Sequence, residues 1–388
     1  MRFSNLLLPV LGLPLISAKT LGARNDTESL QDLNEEAMNA LQAQLDNSTS
    51  EKRAASTCNL FNAKVRRDWK TLSSAQKKEY IAAVKCLQKK PSIADPTFAP
   101  GSRSRYDDFV AVHINQTLSI HGTGNFLTWH RYFVHAYETA LRNECGYTGY
   151  QPYWNWLDNT ADPSKSPVFD GSATSFSGDG SFVAHNGSVN GNGNVFIPSG
   201  KGGGCVTSGP FVDYVINLGP VFPIQDGMAP SPSTLGFNPH CLSRDLSAFT
   251  ATNWLTLANV LNVTVGAASR SVLLFQNELQ GRFTDGFLGL HTAGHGVMGG
   301  VGGDLFASPV DPVFFLHHGM VDRIYWIWQA LHLAQAQTLA GTLTLFNNPP
   351  SRDTSVNDII DLGVNAPSQK IGDVLNTLGG SPLCYIYV

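Results

Sequence analysis

Gly289-Leu290-His291-Thr292-Ala293-Gly294-His295 is followed by a glycine-rich link and then Asp311-Pro312-Val313-Phe314-Phe315-Leu316-His317-His318. Residues four apart on a helix share a face, about one turn apart, so His291 and His295 can present two imidazoles to one ion. The helical zinc-hydrolase pattern needs a glutamate directly after its first histidine, as general base. Thr292 stands there instead. Imidazole-only coordination suits zinc, copper, iron or nickel. The second stretch opens a helix, with Asp311 able to cap it and Pro312 fitting its first turn. It carries Phe314, Phe315, His318, Val321, Asp322, Tyr325 and Trp328. His317 lies about 100° round that helix from His318, so the two cannot face one ion equally.

Three more histidines lie upstream. A helix is expected over Arg105 to Ile120, with Phe109, Val112 and His113 on one side. Gly122-Thr123-Gly124 breaks it and leaves His121 at a bend. A new helix begins near Trp129, with His130, Tyr137 and Leu141 on one face. Of the eleven histidines, five are set aside: His317, His135 (off the His130 face), His185 and His240 (in irregular chain) and His332 (at a helix end). The other six form two groups, His113, His121, His130 and His291, His295, His318. No acidic residue falls at a ligand position, which argues against a carboxylate-bridged di-iron centre. Three neutral imidazoles suit copper cycling between its +1 and +2 states. Two such ions side by side can reduce bound dioxygen in one two-electron step.

Phe126-Leu127-Thr128-Trp129-His130-Arg131-Tyr132-Phe133, with His113 and His121 upstream, resembles the first copper motif of tyrosinases and catechol oxidases. Asp311 to Arg323, with His291 and His295, is similar to the second. Tyr385-Ile386-Tyr387 resembles the Tyr-X-Tyr signature that closes the catalytic domain in this family. The resemblance covers most of residues 54–388. It implies a mainly α fold, a four-helix bundle holding a binuclear (type 3) copper centre, with long irregular loops and a few short strands. By that likeness His113, His121 and His130 bind one copper ion, and His291, His295 and His318 bind the other. Thr292, Gly296, Asp322, Arg131 and Phe315 are the candidate residues around these ligands. The expected activity is oxidation of o-diphenols by O2 to o-quinones and water. The alternatives are a tyrosinase that also hydroxylates monophenols and, more remotely, a haemocyanin-like O2 carrier. Longer family members continue into a lid domain; this chain resembles short fungal members without one.

The departures from the family pattern concern substrate. Some members join a cysteine to the second ligand of the first copper; Ser119 occupies that position. Monophenol hydroxylases often have Asn after the first ligand of the second copper, with a Glu shortly before it. Here Thr292 follows His291, and only Glu278 or Gln280 could reach in from the preceding helix. A monophenol must lose its proton before its ring is attacked, so a missing base favours diphenols. Gly296 is expected to leave space beside the metal. Met298, Val301, Leu305, Phe306 and Val310 are candidates for the residue over the site.

The rest of the chain sets the context. It has 388 residues, 42% hydrophobic and 14% charged, with a formal net charge of -4 and no basic block, which disfavours nucleic acid. Residues 1–18 read as a secretory signal peptide, too short in its apolar run to span a bilayer. Residues 19–53 are polar and end in Lys52-Arg53, a dibasic pair that reads as the end of a propeptide. Residues 54–388 would then be the secreted catalytic domain. The six cysteines, Cys58, Cys86, Cys145, Cys205, Cys241 and Cys384, fit disulfides on that route, and Cys205 with Cys241 could staple the irregular chain. Asn115, Asn186 and Asn262 begin N-glycosylation sequons. Residues 58 to 91 read as helix, with Ser73 or Ser74 starting a second one. Residues 158 to 239 are rich in Gly, Ser, Asn and Pro and read as long coil. Residues 243–265 and 269–280 return to helix.

Overall fold

A computed structural model describes residues 26–46, 58–191 and 193–388. The proposed signal segment and the Lys52-Arg53 pair lie outside the described residues. The helices that matter are α1 (Asp26–Asp46), α2 (Ser74–Lys89), α3 (Arg105–Ile120), α4 (Phe126–Cys145), α5 (Ala248–Trp254), α6 (Leu257–Thr264), α7 (Val272–Gln280), α8 (Gly289–Met298) and α9 (Val313–Leu331). Short strands among the described residues include β1 (Lys64–Arg66), β2 (Ser188–Asn190), β3 (Val195–Ile197) and β4 (Tyr385–Tyr387).

The bundle consists of α3, α4, α8 and α9. Ser104 starts α3 with a capping box: its hydroxyl accepts from the Asp107 N–H and the Asp107 carboxylate accepts from the Ser104 N–H. α4 begins at Phe126, three residues before the expected start, and Gly146 closes it at φ 70°. That left-handed turn is glycine's domain. α9 is buried from Val313 through Ala330. A helix buried all round belongs at the centre of a fold, and α4, α8 and α1 all pack on α9. Its start is held by Asp311, which accepts from the Val313 N–H at 3.0 Å. Arg244 grips the same carboxylate with two hydrogen bonds of 2.7 Å and also donates to the carbonyls of Phe176 and Ser177. One buried ion pair thus fixes the long coil to the helix of the second histidine motif.

Residues 58–73 are not helical. β1 runs parallel to β4, with Lys64 opposite Tyr385 and Arg66 opposite Tyr387. The helical spacing of Trp69 and Leu72 comes from a short 3-10 turn, Trp69–Thr71, capped by Asp68. Pairing with a strand more than 300 residues away overrides local periodicity, which cannot register it. The true helix starts after Ser73, whose hydroxyl forms a capping box with Gln76. Disulfides join Cys58 to Cys384 beside the β1–β4 pair, Cys86 on α2 to Cys145 at the end of α4, and Cys205 to Cys241 in the coil. Residues 158–239 form coil with short hairpins, among them β2 antiparallel to β3. α1 packs on α9 and α6 through Leu30, Leu33 and Ala37.

Candidate metal centre

Five of the six expected ligands sit on helices of the bundle, and the sixth ends one. His113 is on α3, His121 is the extended residue that ends it, and His130 is on the first turns of α4. His291 and His295 lie one turn apart on α8, and His318 is on α9. All six are buried. The structure gathers them into two groups that could each hold a metal ion, with the ligand atoms of each group within 4.8 Å of one another. The groups face each other. The His130 and His318 rings stack at 4.4 Å and 16°, and the His121 and His291 rings lie 6.0 Å apart at 28°.

Backbone carbonyls set the ring orientations. The Nδ1 of His113 donates to the Phe306 carbonyl at 2.7 Å, that of His121 to Thr117 at 3.0 Å, that of His130 to Phe126 at 2.8 Å and that of His295 to Gly302 at 3.0 Å. A neutral imidazole that donates from Nδ1 keeps a lone pair on Nε2, the usual device for aiming a metal ligand. Burial, then the neighbouring imidazoles, hold His113, His130, His291 and His318 well below their ordinary pKa, and burial pushes His121 and His295 down to about 4. Neutral rings with free lone pairs are what a cation requires.

The fit to a metal rests on what these nitrogens lack. His113 Nε2, His130 Nε2, both nitrogens of His291 and His318 Nδ1 are buried without a hydrogen-bond partner. Such orphaned atoms are costly in a protein interior unless something else satisfies them. The Nε2 atoms of His295 and His318 stand 3.4 Å apart. Two imidazole nitrogens sharing a tetrahedral ion at the usual bond length are separated by roughly 3.3 Å.

His317 lies within the second cluster, making four histidines there. The Trp156 indole N–H donates to His317 Nδ1 at 3.0 Å. An indole can only donate, so Nδ1 is the accepting nitrogen and the ring proton is on Nε2. Neither nitrogen is left with a free lone pair. Gly294 makes room for this ring: a Cβ there would lie 2.1 Å from His317 Cε1.

The residues expected around the ligands divide. Asp322 is buried one turn beyond His318 and accepts from Arg131 Nε at 2.6 Å, Tyr385 at 2.5 Å and Tyr387 at 2.6 Å, with Arg66 at 3.3 Å. Arg131 also donates to Gln329 and the Leu375 carbonyl. This pair locks α4 to α9 and so holds His130 against His318. Thr292 donates to the Gln280 carbonyl at 2.7 Å and lines the cavity over the site. Two expectations fail. Phe315 stacks on Tyr137 at 3.5 Å and has no ring contact with a ligand histidine; its neighbour Phe314 covers the His318 ring at 4.1 Å. Gly296 leaves no space beside a metal, because a Cβ there would sit 3.1 Å from Ile197 and Thr250. Its role is close packing of α8 on α5 and β3.

Three contributors escaped the sequence reading of the site. Phe126 lies 4.8 Å from both the His130 and His291 rings. Its place four residues before His130 was the available signal. Phe346 and Phe222 come from irregular chain, where no periodicity marks them. Of the two candidates on α7, Gln280 lines the cavity, while Glu278 is turned to Asn262 and Arg282. Leu305 is the one of the five candidate covering residues that lines it. The cavity holds about 340 Å³ and reaches His121 and His291.

The comparisons with known proteins agree with this geometry. The family description "Common central domain of tyrosinase" matches residues 103–331. The tyrosinase-like protein orsC of Emericella nidulans is 44% identical over 306 residues, covering 75% of this chain and 80% of that protein. The N-acetyl-6-hydroxytryptophan oxidase ivoB of the same organism is 38% identical over 348 residues, covering 85% and 93%. A single-residue mutant of a polyphenol oxidase from Thermothelomyces thermophila has a structure that superposes with a TM-score of 0.88 at 40% identity, covering 95% of this chain and 100% of that one. The chain belongs to the tyrosinase family of type 3 copper oxidoreductases.

Proposed function

We propose that this protein oxidises o-diphenols to o-quinones at two copper ions, one held by His113, His121 and His130, the other by His291, His295 and His318. The observation that carries this reading is the pair of facing imidazole triads at the floor of a cavity that touches one histidine of each. Copper bound there supplies the electron relay: two o-diphenols each give up two electrons and two protons, and one O2 becomes two waters. The four carbonyl-fixed rings keep their Nε2 lone pairs aimed inward, so little reorganisation accompanies turnover. Phe314 and Phe126 cover the His318, His130 and His291 rings and keep water from them.

The lining favours diphenols over monophenols. No carboxylate is among the described residues that line the cavity. The Thr292 hydroxyl is spent on the Gln280 carbonyl, and the Gln280 amide oxygen accepts the Gly122 N–H at 2.8 Å. Neither is a base able to take a proton from a phenol. A substrate panel of catechol against tyrosol on copper-loaded protein tests this. Prompt quinone from catechol, with a long lag or no product from tyrosol, is expected. Prompt hydroxylation of tyrosol would make the protein a tyrosinase, and O2 binding without quinone would make it a carrier.

The same proposal includes the secretory route: a signal peptide over 1–18, a propeptide over 19–53 and a mature chain from Ala54. Three disulfides support an oxidising compartment. Asn115 and Asn186 are the two sequon asparagines that are exposed. Asn262 is half-buried, so glycans are expected on the first two. N-terminal sequencing of protein recovered from culture medium checks the processing sites.

A further inference from the structure

We propose that the cavity selects uncharged catechols carrying an apolar substituent and discriminates against anionic and zwitterionic ones such as catechol amino acids. This rests on the diphenol-oxidase reading above and adds a substrate class to it.

The first support is the character of the lining. Phe222, Pro223, Ile224, Phe283, Leu305 and Phe346 form its walls. None of the described residues that line it is Asp, Glu, Lys or Arg. Arg282 precedes Phe283, but its guanidinium is held by Glu278 and Asp285 and lies over the Phe287 ring. A substrate carboxylate or ammonium group carried into this space would lose water and find no counter-charge, the costliest way to bury a charge.

The second support is the rim. Val189, Phe222 and Phe346 are 47, 54 and 56% exposed although each borders the cavity. Core packing does not account for half-exposed aromatic rings converging on one opening, whereas an apolar guest does.

The third is that both aromatic walls are held in place. The Asp304 carboxylate accepts from the N–H groups of Val221 at 2.6 Å and Phe222 at 2.7 Å, and from those of Phe306 and Ala307 at 2.8 and 2.9 Å. It thereby ties the Phe222 wall to the turn whose Phe306 carbonyl orients His113. Opposite, Phe346 sits at φ 50°, a conformation bulky side chains avoid, with its N–H on the Gly122 carbonyl at 3.1 Å. Only glycine fits below it, since a Cβ at Gly122 would lie 2.9 Å from the Phe346 ring. Strain of this kind persists where surrounding contacts over-determine it, commonly at ligand clamps. The apolar walls are therefore in position before a substrate arrives.

The test uses the copper-loaded full chain and five catechols at one pH: catechol, 4-methylcatechol, 4-butylcatechol, 3,4-dihydroxyphenylacetate and the zwitterionic 3,4-dihydroxyphenylalanine. kcat/KM is expected to rise about threefold per added methylene along the alkyl series, chiefly through KM. The anion and the zwitterion are expected to fall at least tenfold below 4-methylcatechol. Phe222→Arg is expected to raise the ratio of kcat/KM for the anion over 4-methylcatechol by tenfold or more. Equal kcat/KM for 4-butylcatechol and the zwitterion, or a ratio unmoved by Phe222→Arg, overturns the selectivity while leaving catechol oxidation intact. Failure to oxidise catechol itself overturns the underlying activity instead.

Discussion

Trp156 and His317 show how one hydrogen bond can decide a ligand set. The sequence offers His317 and His318 side by side; helix geometry says only that both cannot face one ion equally, and the family resemblance points to His318. The structure places both in the metal-capable cluster, and the indole then occupies the His317 lone pair. Trp156→Phe is expected to leave the fold intact but free that ring to compete for the ion. A loss of activity of about tenfold or more with unchanged copper content is the expected outcome, because a competing ring disturbs the ligand set. Activity within twofold of the parent would show that the bond is incidental. The ligand histidines also predict an acid response. His121 and His295 are pushed from 6.5 to about 4 by burial, so the folded metal-free protein binds fewer protons than the unfolded chain between those values. Metal-free protein should therefore hold this stability above about pH 6.5 and lose it as pH falls to about 4. Melting temperatures at pH 8, 6 and 4.5 measure the slope, and a flat profile would contradict it. At this scale the sequence was most legible where residues share a helix face: His291 with His295, Phe314 with His318. Gly296 misled because a missing side chain says nothing about which neighbour fills the space.

Among the elements, α4 and α9 bear the most weight, and they are joined by ions rather than by apolar packing alone. Arg131 follows His130, and Asp322 lies one turn past His318, so their pairing sets the spacing between the two facing rings. Burial opposes ionisation of Asp322, but Arg131, Arg66 and two tyrosine hydroxyls outweigh it and hold its pKa below the ordinary carboxylate value. Asp322→Asn leaves two buried guanidiniums short of charge. It is expected to cost about 3–5 kcal/mol, the usual penalty for breaking a buried pair from one side. Denaturant unfolding measures it; a cost below about 1 kcal/mol would mean the network is dispensable. The start of α2 was legible from its cap at Ser73, because capping is a local interaction. β1 was not, because its partner β4 lies at the other end of the sequence.

At the scale of the whole molecule, the coil of residues 158–239 carried no periodic signal, yet Arg244 and a disulfide fix it firmly to the core. Those tethers are long-range, which is why walls such as Phe222 were invisible in advance. α1 belongs to the same scale. Leu30, Leu33 and Ala37 are buried against the core, and Asn34 bridges the Tyr387 carbonyl to Arg323. None of the residues lining the cavity over the histidines comes from α1. Cutting the chain at Lys52-Arg53 is therefore not expected to unmask the site, and activity should change less than twofold on processing. Were the chain cut there, the helix would cease to be a segment and become a guest with a dissociation constant. Cohesion of the processed enzyme would then obey mass action: firm when concentrated and loosened by dilution or added competing peptide, with a melting temperature that depends on protein concentration.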